Sequence, residues 1–269
     1  MNILLLGDIV GPAGRKAVID QLPDLIKKKK LDFVIVNGEN SADQGDGITE
    51  KITKEFLNAG ADVITTGNHV WDQRETANYI SNEKRLLRPQ NLIEGSPGNG
   101  YGIFNSKNKK KVGVINLMGN IFMKKSEDVF QEAKKFIQDI KLTKEADFIV
   151  VDMHGEITSE KMAMGYLFDG KATMVVGTHT HVPTSDYRIM EKGTAYQTDV
   201  GMCGDYNSVI GMNRDNSLKK FFKDPSAKKH YPALGEATIS GIFVIADDAT
   251  GLAKKVEPII LGRSLENRI

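Results

Sequence analysis

Five short polar segments in this chain carry the residue types that bind metal ions, and each follows a run of apolar residues. Four of the five histidines of the chain fall within these segments. The segments are Gly7-Asp8-Ile9, Gly38-Glu39-Asn40, Gly67-Asn68-His69, Asp152-Met153-His154-Gly155 and His179-Thr180-His181. Carboxylate, amide and imidazole groups gathered from separate strand ends are typical of a hydrolytic centre that holds two metal ions. The pattern therefore predicts one shared metal site.

Each segment also has a simpler explanation when it is taken alone. Asp8 suits the N-cap of the helix predicted after it. Glu39 and Asn40 could belong to an ordinary polar loop. His69 could be a half-buried histidine in a turn, or a free proton donor beside a metal-binding Asn68, because the pKa of histidine lies near neutrality.

The three histidines in the later segments differ in how strongly they indicate a metal site. A lone histidine such as His154 is more often structural than metal-binding. His179 and His181 are more informative, because residues two apart in an extended segment point to the same face. Short motifs of this kind still recur by chance. Taken together, the five segments would need five unrelated explanations, so we predict a common site. Its predicted ligands are Asp8, Glu39, Asn40, Asn68, His154, His179 and His181.

The elements that must position these residues alternate between strand and helix in the first part of the chain. Short apolar runs predict buried strands at residues 3–6, 33–36 and 63–66. Helical spacing predicts helices at residues 14–29, 49–59 and 72–80, with a kink or break at Pro23. Strands alternating with helices indicate α/β layering, in which the loops at the carboxyl ends of the strands carry function.

The second part of the chain is richer in hairpins. Hairpins are predicted from residues 101–105 with 112–117, 187–190 with 194–198, and 237–246 with 253–260. Strands are predicted at residues 148–152 and 173–176, and helices at residues 127–140 and 159–168. This organisation indicates two packed mixed sheets flanked by helices. We expect a single domain over residues 1–269, since no Pro/Gly/Ser-rich linker divides the chain.

Composition excludes several classes of protein. The 36 Lys and Arg residues balance 35 Asp and Glu residues, so there is no strong signature of nucleic-acid or membrane binding. The first apolar run is too short for a signal peptide or a membrane span, which needs about 20 apolar residues. The single cysteine, Cys203, excludes an internal disulfide framework and predicts a cytoplasmic location.

The motifs together resemble the calcineurin-like metallophosphoesterase superfamily, and within it the YmdB-like branch. The resemblance runs the length of the chain and is carried by the five segments in their local context. These stretches are Gly7-Asp8-Ile9-Val10-Gly11, Asn37-Gly38-Glu39-Asn40, Thr66-Gly67-Asn68-His69-Val70-Trp71-Asp72, Asp152-Met153-His154-Gly155-Glu156 and Gly177-Thr178-His179-Thr180-His181-Val182-Pro183-Thr184. The resemblance implies an α/β fold, a four-layer αββα sandwich of two mixed β-sheets flanked by helices.

The resemblance also implies a ligand set. One metal ion would be held by Asp8, Glu39, Asn40 and His181, and a second by Asn68, His154, His179 and the shared Glu39. Val10 stands where most of the superfamily has a histidine, and Glu39 replaces its usual bridging aspartate, as in the YmdB-like branch. Asn120 stands where an arginine is common in this branch, which would change phosphate affinity or substrate choice if that arginine contacts phosphate.

The implied activity is metal-dependent hydrolysis of phosphodiesters, with 2′,3′-cyclic nucleotides as the leading substrates. A hydroxide bridging the metals would attack phosphorus, and His69 would protonate the leaving oxygen as general acid. Iron is the first expectation for the metal, with manganese and zinc as alternatives. Two other functions are possible from the sequence. One is a phosphomonoesterase or nucleotidase with the same centre, and the other is a nucleotide-sensing regulatory protein with little turnover. The resemblance further implies a small homo-oligomer.

Overall fold

The computed structural model describes residues 1–269 and contains twelve β-strands, six α-helices and one 3₁₀ turn. The strands are β1 (Asn2–Ile9), β2 (Phe33–Asn37), β3 (Val63–Thr65), β4 (Tyr101–Asn105), β5 (Lys111–Met118), β6 (Phe148–His154), β7 (Met174–Thr178), β8 (Arg188–Ile189), β9 (Ala195–Gln197), β10 (Met202–Asp205), β11 (Ala237–Ala246) and β12 (Ala253–Leu261). The helices are α1 (Gly11–Lys29), α2 (Glu50–Ala59), α3 (Thr76–Tyr79), α4 (Val129–Asp139), α5 (Thr158–Phe168) and α6 (Arg214–Phe221).

The strands form two mixed sheets of six strands each. The first sheet has the order β12-β11-β10-β1-β2-β3, with a further pairing between β11 and β1. The second has the order β4-β5-β6-β7-β9-β8. In the first sheet β10, β1, β2 and β3 run parallel. In the second, β5, β6, β7 and β9 run parallel, while β4 and β8 pair antiparallel at the two edges.

Three apolar layers hold the sheets and helices together. One layer lies between the first sheet and helices α1 and α2, and includes Val18 and Phe56. A second fills the space between the two sheets, and a third lies between the second sheet and helices α4 and α5. Two sheets packed together and covered by helices on both outer faces form a four-layer αββα sandwich, as the sequence predicts.

Strand β1 illustrates why its sequence is apolar throughout. Leu4 and Leu6 belong to the layer under the helices, whereas Ile3 and Leu5 belong to the layer between the sheets. Successive side chains of a strand point to opposite faces, so a strand covered on both sides must be apolar at every position.

Two helix predictions need correction. Of the kink or break predicted at Pro23, the break does not occur, because the first helix runs from Gly11 to Lys29 with Pro23 inside it. The helix predicted over residues 72–80 is reduced to the four residues of α3 and a following 3₁₀ turn. A proline inside a helix removes one backbone donor and crowds the preceding turn. Helix α1 continues through Pro23, with Val18 and Leu22 packed in the apolar layer on the first sheet. None of the helices has both the length and the apolar character needed to cross a bilayer.

Candidate metal centre

All five segments that carry predicted ligands lie at the carboxyl ends of parallel strands. Asp8 is near the end of β1, and Glu39 follows the last residue of β2 by two positions. His154 is the last residue of β6. Asn68 follows β3, and His179 to His181 come directly after β7. Because the two sheets pack face to face, the loops of both sheets meet at one edge of the sandwich, which is where α/β folds place their sites.

The most closely packed part of the centre surrounds the Nε2 atom of His154. This atom lies 3.0 Å from Glu39 Oε1, 3.0 Å from Asn68 Oδ1 and 3.2 Å from His179 Nδ1. Glu39, His154 and His179 each offer a ligand atom, and these atoms lie within 4.8 Å of one another. A carboxylate, an amide oxygen and two imidazoles therefore converge on one point, which is the donor set of a mixed N/O metal site.

Gly67 makes this convergence sterically possible. A Cβ atom at position 67 would stand 2.3 Å from Glu39 Oε2 and 2.3 Å from His154 Nε2. Any other residue type would occupy the space of the ligand atoms. At Gly155, by contrast, a Cβ would make ordinary contacts, at 3.5 Å with the backbone of Gly119 and at 3.9 Å with Met153 Cε.

Two buried oxygen atoms near this cluster, Oδ1 of Asp8 and Oδ1 of Asn40, have no hydrogen-bond partner. The other carboxylate oxygen of Asp8 accepts a hydrogen bond from the backbone N–H of His179 (2.9 Å). An unpartnered buried acceptor costs free energy, and a cation would supply the missing partner. These residues therefore fit a metal ion.

His181 has the tautomer that metal binding requires. Its Nδ1 donates a hydrogen bond to the carbonyl oxygen of Ile210 (2.7 Å), which leaves the lone pair of Nε2 free. Metal-binding histidines typically donate their second ring N–H to a carbonyl or carboxylate in this way.

His154 is supported by a buried polar chain that sequence reasoning did not assign. Its Nδ1 lies 2.9 Å from Thr178 Oγ1, and that hydroxyl donates to Asp152 Oδ1 (2.7 Å). Asp152 also accepts hydrogen bonds from Thr65 Oγ1 and Asn37 Nδ2. Alternation along β6 could have indicated this, since Asp152 and His154 are two residues apart and lie on the same face.

The buried charged groups of the centre shift one another's pKa values. Burial raises the pKa of Asp8 to about 6, although His181 and His154 oppose this shift. Burial would also raise the pKa of Glu39, but the charge of His154 outweighs it and the net shift is downward. Burial, helped by the charge of His154, lowers the pKa of His179 to about 3, which favours the neutral ring with one nitrogen lone pair available.

His69 differs from the histidines predicted to be ligands in its exposure and its partners. Its side chain is 33% exposed, whereas that of His154 is fully buried. His69 Nδ1 lies 2.5 Å from Asp72 Oδ2, and Asp72 Oδ1 accepts from Lys124 Nζ (3.1 Å). Burial raises the pKa of Asp72, but hydrogen bonds from His69 and Lys124 outweigh it and the net shift is downward. Asp72 thus stays ionised and fixes the ring of His69, leaving Nε2 free.

The structure also settles the alternative explanations for several residues. The N-cap of α1 is Val10, so Asp8 does not cap that helix. Asn120 bonds within its own loop: its amide donates to Ser126 and Glu127, and its oxygen accepts from the backbone of Val129. Cys203 is buried, as a structural cysteine should be.

This fold and these strand-end ligand groups are those expected of a metallophosphoesterase. The sequence model of a family described as "YmdB-like protein" matches residues 4–259. A 2′,3′-cyclic-nucleotide 2′-phosphodiesterase of Bacillus subtilis is 44% identical over 261 residues, which cover 97% of this chain and 97% of the relative. A putative phosphatase/phosphodiesterase of Mycoplasma genitalium is 38% identical, over 96% of this chain and 92% of its own length.

Solved structures agree with these sequence matches. A hypothetical protein from Thermus thermophilus has a TM-score of 0.89 and 35% identity, covering 98% of this chain and all of that one. A phosphatase from Mycoplasma pneumoniae has a TM-score of 0.89 and 37% identity, covering 97% of this chain and 93% of its own. The chain therefore belongs to the YmdB-like family, which confirms the resemblance found in the sequence.

Proposed function

We propose that this phosphoric diester hydrolase acts on cyclic nucleotides, with 2′,3′-cyclic nucleotides as its first substrates, at a centre that holds two cations. The observation that carries the proposal is the convergence of Glu39, Asn68 and His179 on His154 Nε2, beside the orphaned oxygens of Asp8 and Asn40. The similarity to a 2′,3′-cyclic-nucleotide 2′-phosphodiesterase supports the choice of substrate.

Each cation would have its own set of ligands. Asp8, Asn40 and His181 would hold one cation, Asn68, His154 and His179 the other, and Glu39 would serve both. When bound, such a pair of cations supplies an activated water and polarises the phosphoryl oxygens. Iron stays our first prediction for the metal, with manganese and zinc as alternatives, because this mixture of oxygen and imidazole ligands suits all three.

His69 would act as the general acid. Asp72 holds Nδ1 of the ring, so the proton on the opposite nitrogen, Nε2, can be delivered to the leaving ribose oxygen. The side chains of His69 and His179 are 33% and 22% exposed, whereas those of Asp8 and Glu39 are at most 1% exposed. The substrate would therefore enter from the side of His69 and His179.

The test is the His69→Ala variant, assayed on two diesters that differ in their leaving group. With 2′,3′-cyclic AMP, whose alkoxide leaves poorly, we expect turnover to fall by about 10²–10⁴-fold. With bis(p-nitrophenyl) phosphate the loss of turnover should be much smaller, because p-nitrophenolate is a stable anion and can leave without being protonated. Cation content, measured on the same samples, should equal that of the wild type. Full turnover of the cyclic nucleotide by this variant would exclude the role of His69.

A second candidate function is phosphomonoester hydrolysis at the same centre. It is favoured by the relatives described as putative phosphatase/phosphodiesterases. Side-by-side rates on 2′,3′-cyclic AMP and on adenosine monophosphates would distinguish the two activities. A nucleotide-sensing protein with little turnover would instead bind the cyclic nucleotide tightly without hydrolysing it in cation-saturated samples.

A further inference from the structure

A buried ion pair lies directly behind the His179–His181 segment. Lys161 Nζ on α5 donates to Asp199 Oδ2 (2.8 Å), and the two side chains are 0% and 1% exposed. Every other ion pair of a lysine or arginine has a partner that is at least 34% exposed. The reaction proposed above uses neither residue.

Such a pair is not explained by stability alone. Removing both charges from water costs free energy that their mutual attraction often fails to recover, so an apolar pair of similar volume would serve a core as well or better. The pair is therefore a candidate for positioning other groups, and its contacts indicate which ones.

Asp199 holds the residue between the two ligand histidines. Its Oδ2 accepts hydrogen bonds from Thr180 N (3.1 Å) and from Thr180 Oγ1 (2.8 Å). Its Oδ1 accepts from the backbone N–H of Gly201 (2.8 Å), which fixes the carboxylate from the other side. Lys161 completes the set by donating to the same oxygen that Thr180 uses.

The segment needs such support because its backbone is unfavourable. His179 has φ of 100° and His181 has φ of 65°. Residues with a side chain rarely adopt positive φ, and they persist there only when surrounding contacts hold them. Thr180, between the two strained residues, is tied to Asp199 through both its backbone and its side chain.

The strand that leads into the segment makes room for the lysine. Gly177 on β7 lies two residues before His179, and a Cβ at this position would stand 2.7 Å from Lys161 Cδ. The same Cβ would stand 1.7 Å from the carbonyl oxygen of Thr198, which precedes Asp199. Gly177 thus allows both the lysine stem and the segment that carries Asp199, between β9 and β10, to approach β7.

We propose that Lys161 and Asp199 are positioning residues of the metal centre. Through Thr180 they hold His179 and His181 in the strained backbone that aims both imidazoles at the cations. Lys161 also neutralises Asp199, so that the carboxylate binds Thr180 rather than competing with the ligands for a cation. This inference rests on the proposed function, because it assumes that His179 and His181 are ligands.

The experiment is a Mn²⁺ titration of cation-depleted protein, with the thermal unfolding midpoint measured on each sample. Asp199→Asn and Lys161→Met remove one charge each. Thr180→Val removes only the hydroxyl donor, and Thr180→Ser keeps it. The matched control is Asp169→Asn, since Asp169 is also a buried carboxylate but accepts its hydrogen bonds from Lys192 N and Thr194 N, beyond the other end of α5.

We expect Mn²⁺ affinity to fall by about 10–100-fold in Asp199→Asn and Lys161→Met, the range typical of residues that orient metal ligands. Thr180→Val should weaken binding in the same direction, while Thr180→Ser and Asp169→Asn should stay near wild type. The visible absorption of bound Co²⁺ should change in Asp199→Asn and not in Asp169→Asn.

Two results would overturn the inference. One is wild-type Mn²⁺ affinity in both Asp199→Asn and Thr180→Val. Thr180→Val should fold even if Asp199→Asn does not, because Thr180 is partly exposed. The other is an equal loss of affinity in Asp169→Asn, which would make the effect one of general stability. Wild-type protein that bound neither Mn²⁺ nor Fe²⁺ would refute the metal centre itself, and this inference with it.

Discussion

The exchange of Gly67 for alanine tests the geometry of the centre with a single methyl group. The backbone of Gly67 does not have positive φ, so alanine can adopt its conformation without strain. The added Cβ would nevertheless stand 2.3 Å from both Glu39 Oε2 and His154 Nε2. Non-bonded heavy atoms prefer separations of about 3.5 Å, so the two ligand atoms would have to retreat by about 1 Å.

A displacement of that size is incompatible with metal coordination. Ligand distances in metal sites vary by only about 0.2 Å, so both ligand groups would lose contact with a cation. Disturbing a residue that merely orients a ligand costs about 10–100-fold in affinity. We therefore expect Gly67→Ala to lose at least about 100-fold, which corresponds to about 2.7 kcal/mol.

The assay is cation content per chain by elemental analysis, followed by Mn²⁺ titration, with Gly155→Ala as the control. Position 155 follows His154 directly, yet its Cβ would find ordinary contacts at 3.5 Å. Gly155→Ala should therefore keep the cations that Gly67→Ala loses. Wild-type cation content and affinity in Gly67→Ala would refute the assignment of Glu39 and His154 as ligands.

Three further variants test separate parts of the site and its surroundings. Glu39→Ala should lose both cations, because we propose that the same carboxylate serves both, and unchanged cation content by elemental analysis would contradict the shared role. Asp72→Asn should lower turnover of 2′,3′-cyclic AMP by less than His69→Ala does, with cation content unchanged, because Asp72 only orients the ring; a larger loss would assign Asp72 a different role. Burial raises the pKa of Asp186, but hydrogen bonds from Thr184 and Thr198 outweigh it and leave the pKa below its ordinary value. The stability that ionised Asp186 contributes is therefore fully present above about pH 4 and is lost as the pH falls through the lowered pKa. The difference in free energy of unfolding between wild type and Asp186→Asn, from urea melts, should be constant between pH 5 and 8 and shrink below pH 4; a difference that grows on acidification would contradict the sign.

The ligand segments could be predicted from sequence because parallel strands impose a simple rule. Apolar runs mark strands covered on both faces, and the polar residues that end them must meet at one edge of the sheets. Asp8, Glu39, His154 and His179 were located in this way without knowledge of strand order. The order of the strands could not be predicted from the sequence, because β10 to β12 belong to the first sheet although they follow all strands of the second sheet along the chain.

Residues that support the ligands were harder to find. Asp152 lies on the same face of its strand as His154, but nothing in the sequence shows that Thr178, on the neighbouring strand, connects the two side chains. Lys161 lies on a helix that could have presented it to solvent, and its partner Asp199 is 38 residues further along the chain. Buried polar contacts of this kind depend on how β6, β7 and α5 pack, which local patterns do not specify. The helix predicted over residues 72–80 failed for a related reason, because Asp72 is held by His69 and Lys124 in a turn.

The most direct test of the central claim is cation content per chain of protein purified without chelator, with turnover of 2′,3′-cyclic AMP assayed on the same sample. We predict two cations per chain and hydrolysis of the cyclic ester that disappears when the cations are removed. Protein that holds no cation, even after addition of manganese or iron, would contradict the shared metal site and every role derived from it.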